Sequence, residues 1–279
     1  MRLLLITFSF LFVHSSALAQ ERIISAGSAI TELVYALEAE DQLVAVDTTS
    51  RYFVQGSDIP QVGYHRQLSA EGLLALDPSY LIGSEEMGPE STIDNLKATH
   101  VNVLTVPSGD SIEDLYQRID IIADITGTTD KSAGLKKTVQ QQMAILDSQH
   151  LTEPPKVMFM MLSKGRPVTV GGQETTIDKI ITLSGALNPA RDSVRSYKPL
   201  SIEAVIALQP DYILVSERAW KSLQGHQGII DAFPLLAVTS ANKPGRIISI
   251  PSHALIGGFG LESIQLSQQL HDKFNSDKQ

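Results

Sequence analysis

Short apolar runs alternate with segments of helical periodicity along most of the chain. In the first half, the runs RIISAG, QLVAVDTTS, YLIGS and VNVLTVP have the length and apolar content of buried strands. Between the first two lies SAITELVYALEA, where apolar residues recur at helical spacing from Ile30 to Leu37 and Ser28 is the expected N-cap. Strands that alternate with helices predict an α/β fold whose parallel sheet is covered on both faces.

A second series of the same kind follows a helical connector. KVMFMML, DYILVSE and RIISIP are strand-like, whereas ETTIDKIITLSGA, SIEAVIALQP and GLESIQLSQQLHDKF are helix-like. The segment DKSAGLKKTVQQQMAILDSQH separates the two series, and as one helix it would span about 30 Å before Pro154 and Pro155 end it. The sequence therefore predicts an N-terminal lobe at residues 20–129, a connecting helix at residues 130–153 and a C-terminal lobe at residues 154–279.

One segment occurs in both lobes. LSAEGLLALDPSYLIGSE at residues 68–85 returns as LSIEAVIALQPDYILVSE at residues 200–217. Each copy predicts a helix that is capped by its Ser and ended by its Pro, followed by a buried strand. Each copy also has a Glu, Glu71 or Glu203, in the first turn of that helix, where the helix dipole favours a carboxylate. The separation is too long for a solenoid repeat and favours two lobes of similar construction.

The N-terminus has the three regions of a secretory signal peptide at residues 1–19. Arg2 supplies a positive charge, an apolar run extends from Leu3 to Val13, and ALA precedes Gln20. The run is shorter than the roughly 20 residues that cross a bilayer, so we expect cleavage and export to the periplasm rather than a membrane anchor. The sequence contains no Cys, which excludes disulfides and a lipid anchor on an N-terminal Cys.

Charge and motif content argue against several classes of function. A net charge of −9 disfavours nucleic acid as a partner. The glycine pairs in VGGQE and IGGFG do not complete a dinucleotide-binding G-x-G-x-x-G, and there is no P-loop, H-E-x-x-H or G-x-S-x-G. Because no nucleophile, base and orienting group can be assembled, we predict that the protein is not an enzyme. An exported enzyme on a two-lobed fold is the remote alternative.

The whole mature chain resembles the periplasmic substrate-binding proteins of ABC importers for haem, cobalamin and ferric siderophores. The features that carry the resemblance are the signal peptide, RIISAGSAITELVYALEAEDQLVAVDTTS, the P-x-V-G segment and the duplicated S-x-E-x-[LIV]-[LIV]-A-L-x-P-x-Y. It implies two Rossmann-like lobes joined by a single long helix, with the ligand in the cleft between them and little hinge closure. It also implies a monomer that docks on a permease dimer with its ATPase, through Glu71 on one lobe and Glu203 on the other.

Within this family, the segment QVGYHRQLSAEG resembles the haem-binding subgroup. Members carry a tyrosine directly after V-G as the axial ligand of the haem iron, and Tyr64 stands there. A phenolate suits ferric iron, but its pKa near 10 means that ligation at neutral pH needs nearby positive charge. Arg66, in a loop that we expect to be extended, is predicted to donate to the phenol oxygen. His65 is a further candidate for haem contact, although neighbouring side chains of an extended segment point to opposite faces.

Cations of the second lobe complete the predicted haem site. Lys164 and Arg166 stand in a loop where some relatives have a histidine, so the second axial ligand and the number of bound haems are left open. Together with Arg218 and Lys221 they are expected to pair with haem propionates, and His253 to lie in a turn near the cleft; solvated loop charges are the alternative. The expected cargo is haem, supplied by an outer-membrane receptor. Cobalamin, a ferric siderophore or a metal ion is the alternative cargo.

Overall fold

Two β-sheets, one in each half of the chain, carry the fold. The structure is a computed structural model that describes residues 20–277. The predicted signal peptide at residues 1–19 lies outside the described residues. From residue 20 to residue 277, no helix has the length and apolar character that crossing a membrane requires.

The N-terminal sheet is parallel throughout. Its strands are β1 (Ile23–Ala26), β2 (Leu43–Val46), β3 (Tyr80–Gly83) and β4 (Asn102–Thr105), in the order β2-β1-β3-β4. The accompanying helices are α1 (Ser28–Ala36), α2 (Ala70–Leu74), α3 (Glu90–Lys97) and α4 (Ile112–Thr126). Successive residues of β1 and β3 enter different apolar clusters on opposite faces of the sheet. A sheet that is buried on both faces, as the sequence predicts, requires these continuous apolar runs.

A long helix, α5 (Thr129–Ser148), connects the halves. It has 20 residues, so its length is about 30 Å. Only a narrow stripe of it is buried, at Val139, Met143 and Leu146, where it packs on α4 and on the last helix of the chain, α10 (Leu261–Ser276). The two-lobed α/β fold with one long connecting helix is thereby confirmed. The exact lobe boundaries stay a prediction from the sequence.

The C-terminal sheet is mixed rather than parallel. Three strands, β5 (Val157–Met161), β8 (Tyr212–Ser216) and β9 (Ile247–Ile250), are parallel, but β6 (Val168–Gly171) runs antiparallel to β5 and to β7 (Tyr197–Leu200). The strand order is β7-β6-β5-β8-β9. Residues 162–167 are too few for the crossover that a parallel β6 would need, so the chain folds back as a hairpin.

Four helices besides α10 complete this lobe, and one of them repeats the construction of α2. They are α6 (Thr176–Leu183), α7 (Ile202–Ala207), α8 (Glu217–Ser222) and α9 (Gly225–Ala232). The side chains of Ser69 and Ser201 accept hydrogen bonds from backbone amides of α2 and α7, as N-caps do. Asp77 and Gln209 then adopt φ of 47° and 48° directly before a Pro. The predicted repeat is thus a helix with the same cap and the same exit in both lobes.

Candidate functional site

The carboxyl ends of the strands of the two lobes face each other. The ring of Tyr52, which follows β2, stacks on the ring of His253, which follows β9, with centroids 4.0 Å apart. The Ser28 hydroxyl donates to the His253 carbonyl oxygen at 3.0 Å and to the Ile256 carbonyl oxygen at 2.9 Å. Ser28 was predicted as the N-cap of α1, but Gly27 occupies that position, which leaves the Ser28 hydroxyl to bridge the lobes. In α/β proteins, the crevice outside the carboxyl ends of the strands is where ligands bind.

Tyr64 lies at this edge of the first lobe on a firmly held backbone. The amide of Thr48 donates to the carbonyl of Gly63 at 2.8 Å, and the amide of Gly88 donates to the carbonyl of His65 at 2.9 Å. The segment is therefore tied both to the loop after β2 and to the loop after β3. Among the Phe, Tyr and Trp side chains of residues 20–277, only Tyr52, at 51%, and Tyr64, at 40%, are exposed. A fixed backbone with a projecting phenol leaves the phenol oxygen available to a ligand.

His65 is buried beneath Tyr64 and holds it in place. Its side chain is 2% exposed; its Nδ1 lies 3.0 Å from the Asp47 carboxylate and its Nε2 lies 3.6 Å from the Glu86 carboxylate. Asp47 is fully buried and also accepts hydrogen bonds from the hydroxyls of Thr49 and Ser50. Burial alone would lower the pKa of His65, but Asp47 and then Glu86 outweigh it and raise the pKa. With both ring nitrogens facing carboxylates, His65 supports the segment and is not presented to the cleft.

Arg66 pairs with Glu86, and the sequence prediction that it donates to the Tyr64 phenol is wrong. Residues 65–67 form a 3₁₀ turn instead of an extended loop, so the Arg66 guanidinium turns to the Glu86 carboxylate and donates to it. His65, followed by Arg66, lowers the pKa of Glu86 to about 2. Glu86 chiefly raises the pKa of Arg66, and the nearby Tyr64 adds to that shift. Arg66 thus remains close to Tyr64 while it pairs with Glu86.

Asp47 and Glu86 were not predicted as site residues from the sequence. They follow β2 and β3, which are separated by a long stretch of chain but are both neighbours of β1 in the sheet. Carboxylates within three residues of the ends of two strands of a parallel sheet are a signal that could have found them, because those strand ends meet at one edge.

The second lobe places four cations after the carboxyl ends of its strands. Lys164 and Arg166 follow the carboxyl end of β5, and Arg218 and Lys221 lie on α8 after β8. All four are exposed, and none makes an ion pair with another part of residues 20–277.

Carboxylates of the first lobe raise the pKa values of two side chains of the second lobe, Tyr197 and Asp178. Burial, and then Glu86, raise the pKa of Tyr197 to about 12. Burial raises the pKa of Asp178, and Asp110 of the first lobe adds to that shift. The Glu86 carboxylate therefore lies near Tyr197 and the Asp110 carboxylate near Asp178, which the sequence did not indicate.

The side chains of His253 and Trp220 contact other protein side chains. Besides stacking on Tyr52, His253 has its Nε2 3.4 Å from the Glu262 carboxylate. Trp220 packs partly buried on the apolar core of its own lobe. The described residues contain no group of three or more His, Cys, Asp or Glu side chains arranged to hold a metal ion.

Glu71 and Glu203 occupy matching positions. Each is the second residue of its short helix, α2 or α7, and each is exposed. Neither makes an ion pair within the part of the chain that the structure describes. Two exposed carboxylates at corresponding positions of two lobes form a pattern that a two-fold partner can recognise.

Comparison with known proteins identifies the family. The sequence profile described as "Periplasmic binding protein" matches residues 23–254. The chain belongs to this family. A periplasmic binding protein captures a substrate for an ABC transporter and passes it to the permease; it is not an enzyme. The resemblance inferred from the repeat and the P-x-V-G segment is thereby confirmed.

Relatives of this periplasmic binding protein are named for two tetrapyrrole ligands. The structure of the periplasmic heme binding protein HutB of Vibrio cholerae is 46% identical, with a TM-score of 0.84, over 91% of this chain and 98% of that one. The heme-binding protein RhuT of Roseiflexus sp. RS-1 is 33% identical, with a TM-score of 0.86, over 93% and 100%. A vitamin B12-binding protein of Vibrio cholerae serotype O1 is 27% identical over 252 residues, which is 86% of this chain and 91% of the relative.

Proposed function

We propose that this periplasmic binding protein captures haem in the cleft between its lobes, with the Tyr64 phenolate as the ligand of the ferric iron. The observation that carries the proposal is the half-exposed phenol on a backbone that hydrogen bonds fix from both sides. A hard anionic oxygen that is fixed and open to the cleft suits ferric haem iron. The relatives named for haem, at 46% and 33% identity, support the same cargo.

The charges around Tyr64 assist ligation in this proposal. The Arg66 guanidinium lies near the phenol and adds positive charge beside the oxygen that binds the iron in this proposal. Glu86 neutralises part of that charge, so Arg66 acts as an orienting and electrostatic neighbour rather than as a hydrogen-bond donor to the ligand oxygen. Lys164, Arg166 and Arg218 supply exposed positive charge on the opposite lobe for the two propionates of haem.

Cobalamin is the second candidate, because a relative at 27% identity is named for vitamin B12. Cobalamin presents amides where haem presents carboxylates, and its cobalt has little need of a phenolate. A cobalamin carrier would therefore gain little from an exposed phenol and exposed cations on the opposite lobe. Haem uses both features, and we prefer it for that reason.

A paired titration tests the proposal. Hemin and cyanocobalamin are titrated separately into the protein from Gln20 onward, as wild type, Tyr64→Phe and a control Tyr116→Phe on α4, and the absorption spectra are recorded. We expect a saturable Soret change with hemin, with the high-spin charge-transfer bands of tyrosinate ligation, in wild type and Tyr116→Phe. Tyr64→Phe should lose those bands and bind more weakly. Saturation by cyanocobalamin alone would end the haem proposal, and an unchanged Tyr64→Phe spectrum would remove Tyr64 as ligand.

Delivery to the permease is the second part of the proposal. Glu71 and Glu203 each contact basic side chains of one subunit of the permease dimer, so each lobe has one anchor. The support is their equivalent place on α2 and α7 and their exposure. The protein acts as a monomer between an outer-membrane haem receptor and the permease.

A further inference from the structure

Residues 256–260, the glycine-rich segment IGGFG, pass from the second lobe into the first. Phe259 is fully buried in the apolar core of the first lobe, and its amide donates to the Gly109 carbonyl at 3.1 Å. The glycines are needed for this approach. A methyl group on Gly258 would lie 2.7 Å from the Ser108 carbonyl oxygen, and one on Gly260 would overlap a carboxylate oxygen of Glu32.

Glu32 of α1 binds the start of α10 from the opposite lobe. Its two carboxylate oxygens accept from the amides of Leu261 at 2.6 Å and of Glu262 at 3.1 Å. Gly260, at the N-cap position, has no side chain that could accept from these amides, so Glu32 takes the role that a capping side chain usually has. The start of a 16-residue helix of one lobe is therefore satisfied by a carboxylate of the other.

Arg118 of α4 closes the same contact. It is fully buried, and its guanidinium donates to the Pro107 carbonyl at 2.7 Å and to the Phe259 carbonyl. Its Nε has no partner in the described structure. We name Glu32, Arg118 and residues 256–260 the interlobe clasp. We propose that the interlobe clasp holds the two lobes in one orientation and that it loosens as the medium becomes alkaline.

The groups around Glu32 determine why the interlobe clasp loosens at high pH rather than at low pH. Burial is the main cause that raises the pKa of Glu32 from 4.5 to about 7. The hydrogen bonds from the amides of Glu262 and Leu261 lower this pKa. The nearby Glu262 carboxylate raises it, and the Arg118 guanidinium lowers it. The other charged groups nearby are Asp114 and Glu85, which act on Arg118, and His253, which faces Glu262. In a clasp that has opened to water, the Glu32 carboxyl returns to its ordinary pKa. The closed clasp therefore binds the proton more tightly, and its advantage is fully present below about pH 4.5 and is lost as the pH rises through about 7.

Hydrogen exchange of the backbone amides of residues 257–262 tests the proposal, without any ligand, so that its outcome does not depend on the nature of the cargo. Protection factors, corrected for the intrinsic rate, are measured from pH 5 to pH 8.5 on wild type, Glu32→Gln and Glu113→Gln. Glu113 is the matched control, since it is an exposed helix-start carboxylate of the same lobe.

In wild type and Glu113→Gln we expect protection of this segment to fall by on the order of tenfold or more between pH 5 and pH 8. Glu32→Gln cannot ionise at this position, so its protection should be lower at acid pH and flat with pH. Parallel profiles for wild type and Glu32→Gln would overturn the proposal. If Glu32→Gln fails to fold, the wild-type profile alone decides, because protection that stays constant between pH 5 and pH 8 contradicts the clasp.

Discussion

At the scale of single residues, the candidate site is a chain of charge pairs beside the exposed side chain of Tyr64. Asp47, His65, Glu86 and Arg66 follow one another in contact, and Tyr64 projects from the backbone that they hold. The raised pKa of His65 means that its stabilising contribution is present below about pH 6.5 and is lost as the pH rises through its folded pKa. Glu86 has a lowered pKa, so its contribution is present above about pH 4.5 and is lost as the pH falls toward 2.

Replacing Glu86 by Gln should lower the pKa of His65 relative to wild type. The reason is that Glu86 is one of the two carboxylates that favour the charged imidazole, and Gln keeps the shape without the charge. The His65 ring resonances are followed by NMR as the pH is varied. Glu85→Gln is the control, since the Glu85 carboxylate accepts from Ser108 and lies outside the pair with His65. If both variants give the wild-type His65 titration, Glu86 does not support the Tyr64 segment.

The sequence predicted the position of Tyr64 but not its neighbours. Tyr64 could be found because a short local motif, V-G followed by Tyr ahead of the repeat, carries it. Glu86 could not be found in this way, because its contact with His65 and Arg66 exists only after β1 and β3 pair. The prediction for Arg66 was wrong for the same reason. It assigned Arg66 a partner two residues away along the chain, whereas its actual partner, Glu86, follows another strand of the sheet.

At the scale of elements, the repeat was predictable because its signals are local. A Ser cap, a short apolar helix and a Pro exit are each specified within a few residues, and both copies fold accordingly. The hairpin of β5, β6 and β7 was not predicted as such. β7 carries the letters YKPL, whose apolar content is too low to mark a strand, and it pairs only along an edge of β6.

The double variant Glu71→Ala/Glu203→Ala should bind hemin like wild type but deliver it poorly. Each exposed carboxylate contributes no more than about 1 kcal/mol in water, whereas a charge pair at an interface that excludes water contributes more. Single variants should therefore be partly impaired, and the double variant severely. Uptake is measured in proteoliposomes that contain the cognate permease and its ATPase.

Glu90→Ala serves as the control in that assay, because Glu90 is also an exposed carboxylate in a first helical turn but belongs to no repeat. Uptake by the double variant at the wild-type rate, over a range of protein concentrations, would show that the two glutamates only stabilise their helices.

Alanine substitutions at two glycines, one within residues 256–260 and one outside that segment, test whether the lobes are in close contact. Gly258 and Gly56 both have positive φ, 101° and 83°, but only Gly258 meets neighbouring atoms where a methyl group would stand. Gly258→Ala and Gly56→Ala thus share the backbone strain, and only the first adds a clash with the other lobe. We expect Gly258→Ala to lower the free energy of unfolding by about 1 to 3 kcal/mol more than Gly56→Ala. Equal losses in urea unfolding would mean that the lobes are not in close contact there.

At the scale of the whole molecule, the lobes are connected twice. The first connection is α5, which packs on α4 of the first lobe and on α10, the last helix of the chain. The second is residues 256–260, whose Phe259 is buried in the core of the first lobe. Two connections restrict rotation about either one alone, which gives a physical reason for the small hinge motion that the family resemblance implies.

Arg118→Ala should release that restriction. It removes the guanidinium that donates to the carbonyls of Pro107 and Phe259 and leaves a cavity, so we expect a loss of about 2 to 4 kcal/mol in unfolding free energy. Small-angle scattering should give wild type the same radius of gyration with and without hemin. Arg118→Ala should give a larger radius without hemin and contract when hemin binds. Arg195→Ala, which removes an exposed ion pair with Glu174, should behave as wild type. Contraction of wild type on binding hemin would show that α5 and residues 256–260 leave the hinge free.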